Sequence, residues 1–177
     1  MKKLAKIYTT AFSFIFLCLT IFGCAENDLR HDPFSLLYGD VTAEISLQLS
    51  GSVSTARYQK NGDVTTVTLL SPSTLRGFTF TATGESTVLS GGEVTVDANG
   101  QIGLLPRLLS SVLSEKKENI TEITTERSDS GVLTVIRTPL STYRFGADGV
   151  PVSAEGVFEE IGFKICFNAF STAEGKP

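Results

Sequence analysis

Residues 41–49 constrain the fold most strongly, because apolar and polar side chains alternate there without a break. One side of this segment is entirely apolar: Val41, Ala43, Ile45, Leu47 and Leu49. A period of two is the signature of a half-buried strand, with one face on a core and the other in solvent. The segment therefore predicts a sheet with one apolar face.

Short strands and turns continue this pattern to about residue 169. Asn61-Gly62-Asp63 predicts a hairpin between strands 53–60 and 64–70, because Asn and Gly tolerate the positive φ of tight hairpin turns. The mature part of the chain is rich in Thr, Ser, Gly and Val and lacks Trp, which also favours strands. Further strands are expected at residues 78–83, 87–89, 93–96, 120–127, 132–138, 142–145, 150–158 and 161–169.

One helix is expected from Pro106 to about Lys116. Its apolar residues fall on a single stripe at helical spacing: Leu105, Leu108, Leu109, Val112 and Leu113. The charged run at residues 115–118 is expected to be a solvated helix end. The predicted fold class is therefore α+β, mainly β: a curled antiparallel sheet with a covering helix on one face.

The N-terminus has the organisation of a secretory signal. Lys2, Lys3 and Lys6 precede an uncharged apolar block at residues 11–22. The sequence Ile21-Phe22-Gly23-Cys24 then resembles a bacterial lipobox. We expect residues 1–23 to be a signal peptide, Cys24 to be lipidated, and residues 24–38 to be a tether. The alternative is an uncleaved membrane anchor with an incidental cysteine.

Both interpretations predict the same location. The domain is tethered to the cell membrane or envelope and faces away from the cytoplasm. We expect Cys24 to carry palmitate or similar acyl chains. A diacylated cysteine, often N-acylated as well, has more than one such chain, and several chains together make a stable anchor. Removal of the signal leaves about 150 residues, enough for one domain.

Composition excludes several functional classes. The formal net charge is -4, and the signal lysines would be lost on maturation, so no basic patch for nucleic acid is visible. The one histidine, His31, lies in the predicted tether, which argues against a Ser-His-Asp triad and a histidine-based zinc site. Phosphate-binding and dinucleotide-binding glycine motifs are missing from the sequence.

Weaker chemical signals have simpler explanations. Ser114-Glu115-Lys116-Lys117 matches the Ser-x-x-Lys spacing of penicillin-recognising enzymes, but the partner motifs are missing. Glu159 and Glu160 are interpreted as solvated turn charges, and Cys166 as a packed residue with no disulfide partner. We therefore expect no catalytic residue, no metal ligand and no cofactor, and the chain is predicted not to be an enzyme.

Two short stretches carry a resemblance to a known family. Leu70-Ser71-Pro72-Ser73-Thr74-Leu75-Arg76-Gly77-Phe78 follows the third strand, and Asp148-Gly149-Val150-Pro151 precedes the last two. In this setting they resemble the LolA/LolB-like lipoprotein carriers and the related mycobacterial lipid-carrier lipoproteins. The resemblance implies an unclosed β-barrel, which we expect at residues 39–170. Residues 171–177 are polar and are expected to form a tail. It also implies a cavity between sheet and helices that receives acyl chains.

The function implied by this resemblance is a non-catalytic, membrane-anchored lipoprotein that binds or carries lipid or acyl chains. The alternative is a structural or protein-interaction lipoprotein of the cell envelope with a filled core; a hydrolase with an unrecognised site is a third, weaker hypothesis. The expected partners are the membrane, through Cys24, and a lipid or acylated ligand. The candidate ligand-binding residues are Ile45, Leu47, Leu69, Phe78, Phe80, Leu108, Val112, Phe163, Ile165 and Phe167.

Overall fold

The computed structural model describes residues 32–84, 86–98, 103–129 and 131–172. The predicted signal peptide, Cys24, the first part of the tether and residues 173–177 lie outside this part of the chain. The helices in the described residues are α1 (Ser35–Tyr38) and α2 (Leu104–Val112), and short 3-10 turns occur at Ser73–Leu75 and Lys117–Asn119. Neither α1 nor α2 has the length and apolar character that would let it cross a bilayer.

The described strands form one antiparallel sheet of eleven members. They are β1 (Val41–Leu49), β2 (Ser52–Asn61), β3 (Val64–Ser71), β4 (Thr79–Thr83), β5 (Ser86–Gly91), β6 (Val94–Asp97), β7 (Glu122–Ser128), β8 (Gly131–Arg137), β9 (Ser141–Phe145), β10 (Pro151–Phe158) and β11 (Ile161–Thr172). Their order is β6-β5-β4-β3-β2-β1-β11-β10-β9-β8-β7.

This order divides the sheet into two meanders, which meet where β1 pairs with β11. We call strands β1–β6 the first half and strands β7–β11 the second half. Strands β6 and β7 are the two edges and do not pair with each other, so the sheet is not closed. The chain between these edges contains α2. The predicted mainly β fold with an unclosed sheet and a covering helix is therefore confirmed.

Alternation along the strands places one face of the sheet on the core. In β1 the apolar positions predicted from the sequence are buried, from Val41 to Leu47, and the polar positions between them are more exposed. The hairpin at Asn61-Gly62-Asp63 is confirmed: Asn61 pairs with Val64, and Gly62 adopts a φ of +56°. The residue pattern and the turn chemistry thus specify both register and face.

The folded domain begins earlier than its predicted boundary at residue 39. Phe34 and Leu37 are fully buried in the core. The Asp32 carboxylate accepts a hydrogen bond from the Phe34 amide at 2.9 Å, which fixes the start of α1. Residues 32–38, which were predicted as the end of a tether, therefore belong to the domain. Leu37 lies in α1, and Phe34 is the N-cap residue of this helix.

Two other boundaries also differ from the sequence-based predictions. Strand β11 continues through Ser171 and Thr172, which pair with Thr42 and Val41, so these two residues of the predicted polar tail belong to the sheet. Helix α2 ends at Val112 rather than near Lys116. The chain turns back after the helix, and this turn brings residue 115 into the interior.

Candidate functional site

The ten candidate ligand-binding residues lie together at the apolar face of the sheet and on α2. Eight of them are buried: Ile45, Leu47, Leu69, Phe80, Leu108, Val112, Phe163 and Ile165. The other two, Phe78 and Phe167, are partly buried and pack against the same cluster. The structure thus brings the whole set into one apolar region, and their role in ligand binding stays a prediction.

Aromatic rings fill this interior where it faces the second half of the sheet. The ring of Phe34 lies edge-on to Tyr143, with centroids 5.0 Å apart, and to Phe145, at 5.9 Å. Tyr143 and Phe145 themselves are separated by 6.2 Å. Such edge-to-face and offset contacts are favourable beyond simple burial. This part of the interior is occupied by the protein's own side chains.

Apolar side chains that are only partly buried also border the interior that faces the first half. Partly exposed apolar side chains pack against the core there, including Leu49 and Phe78, with Leu89 on β5 and Leu105 on α2. The Phe78 ring lies directly over Gly91, where a Cβ atom would come within 2.5 Å of the ring carbons. Helix α2 packs against β3 and β4 in this half. Apolar surface is therefore accessible beside the helix.

A buried polar cluster lies just beyond the end of α2. Glu115 is 6% exposed, and one of its carboxylate oxygens accepts a hydrogen bond from the Asn119 amide group at 2.6 Å. The other oxygen accepts from the Thr138 hydroxyl at 3.0 Å. The expectation that residue 115 belongs to a solvated helix end was wrong. A buried carboxylate requires such donors, because its burial without them would be costly.

Tyr143 provides a second polar link to α2. Its hydroxyl donates to the carbonyl oxygen of Val112 at 2.9 Å, in the last turn of the helix. Burial, with a smaller contribution from the Glu115 carboxylate, raises the pKa of the Tyr143 phenol. The phenol therefore stays protonated and remains a donor over the physiological range. The end of α2 is fixed to the second half by buried hydrogen bonds.

The first turn of α2 is held differently. The Arg107 guanidinium forms an ion pair with the Glu159 carboxylate at 3.1 Å, and both side chains are about half exposed. Glu159 and Glu160 form the turn between β10 and β11, in agreement with their interpretation as solvated turn charges. An exposed pair of this kind contributes about 0–1 kcal/mol. The two ends of the helix are thus fastened with different strengths.

Grooves on the surface have mixed walls and are bordered mainly by polar residues. One of about 640 Å³ lies between Ser111 and Leu140 beside the Glu115 cluster. Another of about 410 Å³ lies near the start of β11 and is bordered by Phe163 and by polar residues such as Gln48 and Lys164. Charged and polar residues border both grooves and do not suit an acyl chain, so we take the apolar interior as the candidate site instead. In the described part of the chain, no three His, Cys, Asp or Glu side chains are grouped as metal ligands would be.

The outer face of the sheet is polar and carries ion pairs between strands. Arg144 on β9 pairs with Glu126 on β7 at 3.2 Å and with Glu155 on β10 at 2.9 Å. The pKa of the Arg144 guanidinium is raised, mainly because Arg144 donates a hydrogen bond to Glu155. This arrangement is typical of a solvated sheet face and offers no nucleophile or acid–base pair.

Comparisons with known proteins support the architecture. No protein-family model and no curated protein sequence matches the chain. An uncharacterized conserved protein from Thermus thermophilus is 10% identical with a TM-score of 0.51, over 78% of this chain and 81% of that one. A putative outer membrane lipoprotein-sorting protein domain from Vibrio parahaemolyticus is 10% identical, with a TM-score of 0.43 over 78% and 87%.

The lipoprotein LppX of Mycobacterium tuberculosis is 13% identical, with a TM-score of 0.47 over 82% of this chain and 92% of that one. Similarity at such low identity concerns the fold alone. The expected unclosed antiparallel sheet with a helix above its apolar face is present in this chain.

Proposed function

We propose that this chain is a membrane-anchored lipoprotein of the bacterial cell envelope that binds a lipid or acyl chain between its sheet and α2, without catalysis. One observation carries the proposal. The sheet is left open between β6 and β7, and the connection between these edges places α2 on the apolar face. An apolar chain could enter beside the helix without breaking the hydrogen bonds of any strand.

The acyl chain is proposed to lie in the first half. Phe78, Leu89 and Leu105 are partly exposed there although they pack against the core. Partly exposed apolar surface gains most from contact with a hydrocarbon, by roughly 25 cal/mol per Å² removed from water. In the second half the packed rings of Phe34 and Tyr143 already occupy the interior, although partly buried side chains such as Phe158 also border the core there.

The second candidate function is a structural or protein-interaction role with a filled core. The deep burial of eight of the ten candidate residues favours it, since side chains such as Ile45 and Ile165 are fully enclosed by protein. The two functions differ in what happens around Phe78 and Leu105. A carrier accepts a hydrocarbon there, whereas a filled core does not change when lipid is offered.

A binding experiment separates the two. Residues 25–177 are purified under native conditions, analysed by native mass spectrometry for bound lipid, and titrated with a fluorescent fatty acid after delipidation. Leu89→Trp adds bulk at the proposed site and should weaken binding about tenfold, which corresponds to about 1.4 kcal/mol. Val157→Trp is the matched control, because Val157 is 59% exposed and lies on β10, several strands away from β5 in the sheet.

A lipid-free protein that also fails to bind the fluorescent fatty acid would overturn the carrier function. Equal weakening by Leu89→Trp and Val157→Trp would instead place binding outside the first half. Unchanged affinity in a Leu89→Trp variant whose spectrum shows that it is folded would also place binding outside the first half.

The proposed anchor is tested separately in cells. An alkyne fatty acid should label the full-length protein, and Cys24→Ala should abolish the label. Cys166→Ala is the matched control, because Cys166 is a free cysteine on β11. Label that persists in Cys24→Ala and is lost in Cys166→Ala would overturn the assignment of the anchor.

A further inference from the structure

The edge strand β6 exposes backbone groups that can pair with another strand. Strands β5 and β6 form a hairpin in which Gly91 pairs with Val94, and Gly92 has a φ of +59°. The Ala98 amide donates to the Thr87 carbonyl at 2.8 Å, which extends the same ladder. Because hydrogen-bonded and non-hydrogen-bonded positions alternate in antiparallel pairs, Thr95 directs its N–H and C=O away from β5.

The side chains of β6 leave this edge accessible. All four of its residues are exposed, with Val94 at 58% and Val96 at 41%. Val96 pairs with Leu89, which packs against the core, so the two valines continue the apolar face to the edge of the sheet. No strand among the described residues covers the outer side of β6.

The opposite edge is protected in a way that β6 is not. Strand β7 carries Glu122, Glu126 and Arg127, and its Glu122 pairs with Arg137 on the neighbouring strand. Charged side chains on an edge strand discourage pairing with other chains. Strand β6 carries one charged residue, Asp97, whereas β7 carries three, so β6 is the less protected edge.

The charge around β6 defines the chemistry of that partner. Between Gly77 and Pro106 the sequence contains no Lys or Arg, and its charged residues are Glu85, Glu93 and Asp97. The charged residues of this stretch are therefore all acidic, with Glu93 in the turn between β5 and β6 and Asp97 at the end of β6. An approaching segment with basic side chains would be attracted, and one with acidic side chains would be repelled.

We propose that the β6 edge binds an extended segment of a partner protein, in which apolar residues alternate with Lys or Arg. The segment adds a strand to the sheet: its backbone pairs with Thr95, its apolar side chains contact Val94 and Val96, and its basic side chains face Glu93. Such β-augmentation takes affinity from main-chain hydrogen bonds and specificity from alternate side chains. This surface does not depend on the acyl-chain site.

The test measures binding of a fluorescein-labelled Lys-Val-Lys-Val-Lys-Val peptide to the mature chain by fluorescence anisotropy. The expected result is saturable binding that weakens with added salt and is lost when Lys is replaced by Glu in the peptide. Thr95→Pro removes the outward N–H and should lower affinity at least about tenfold. Thr125→Pro on β7 is the matched control and should leave the affinity unchanged.

Glu93→Lys serves where Thr95→Pro does not fold, and it should lower affinity for the basic peptide and raise it for the Glu-containing one. Equal affinity of the wild type, Thr95→Pro and Glu93→Lys would overturn the proposal, as would the absence of binding. Dimerisation of the chain that Thr95→Pro abolishes would show a second copy at this edge and overturn the heterologous partner. Repeating the titration with and without bound fatty acid separates this surface from the acyl-chain site.

Discussion

The two halves of the sheet present different interiors to the same helix. In the second half, the rings of Phe34, Tyr143 and Phe145 pack against one another, and buried hydrogen bonds hold the end of α2. In the first half, α2 contacts β3 and β4 beside apolar side chains that stay partly exposed. We infer that the second half holds the helix in place, whereas side chains of the first half can rearrange around a bound ligand.

Hydrogen bonds explain why the halves would respond differently to a ligand. Displacing Tyr143 would leave the Val112 carbonyl without its partner, and moving Thr138 would remove a donor from the Glu115 carboxylate. An unpaired buried polar group costs about 1–3 kcal/mol. Movement of Phe78 or Leu105 breaks no side-chain hydrogen bond. We therefore expect a bound hydrocarbon to displace side chains of the first half at lower cost than those of the second.

The largest expected effect is the loss of the ring at Phe34. Phe34→Ala removes a fully buried ring between α1 and β9 and should lower the free energy of unfolding by about 3–5 kcal/mol. Urea denaturation followed by circular dichroism measures it. Phe78→Ala is the comparison in the first half and should cost about 1–2 kcal/mol, because the ring is only partly buried.

The two variants should also separate stability from binding. Phe78→Ala should weaken fatty-acid binding, since the ring borders the proposed site, while Phe34→Ala should leave the affinity of the folded fraction unchanged. A smaller loss of stability in Phe34→Ala than in Phe78→Ala would contradict the division between a fixed and an adaptable half.

The next effect concerns the two ends of α2. Thr138→Val keeps the approximate volume but removes the hydroxyl that donates to Glu115 and accepts from the Ser141 amide at 3.1 Å. The free energy of unfolding should fall by about 1–3 kcal/mol. Glu159→Gln breaks the exposed ion pair at the other end and should cost about 0–1 kcal/mol.

Hydrogen exchange of the α2 amides gives a second measurement for these variants. Thr138→Val should increase exchange at the end of the helix, and Glu159→Gln should affect only its first turn. Equal losses of stability and a similar exchange pattern in both variants would show that the two ends are fastened alike.

Local sequence patterns predict much of this fold. The alternation at residues 41–49 predicted β1, and Asn61-Gly62 predicted a hairpin, because each depends on neighbouring residues alone. The leucine stripe likewise predicted α2. These features require no knowledge of which segments meet in space, and the open sheet with its helical cover followed from them and from the family resemblance.

The buried polar cluster around Glu115 could not be predicted from local sequence patterns. Glu115 stands in a charged run next to Lys116, which is typical of a solvated helix end, and its partner Thr138 is 23 residues away in the sequence. Only the early end of α2 at Val112 turns Glu115 inward. The extension of β11 through Thr172 was missed for a related reason: its pairing with β1 is a backbone contact that polar side chains do not reveal.

The smallest expected effect compares a turn from each half. The β2–β3 turn places Gly62 at a φ of +56°, whereas the β10–β11 turn places Glu160 at a φ of +67°. A side chain at positive φ is strained, and glycine is not. Glu160→Gly should therefore raise the free energy of unfolding by about 0.5–1 kcal/mol, and Gly62→Ala should lower it by a similar amount.

Both positions suit the comparison. The space around a Cβ at Gly62 is open, so Gly62→Ala reports backbone strain rather than a clash. Glu160→Gly leaves the ion pair between Arg107 and Glu159 in place. Urea denaturation of the two variants measures the effects. If Glu160→Gly destabilised the protein, the side chain of Glu160 would have a stabilising role that outweighs its backbone strain. The stability of the second half would then depend on the β10–β11 turn as well as on its packed aromatic rings.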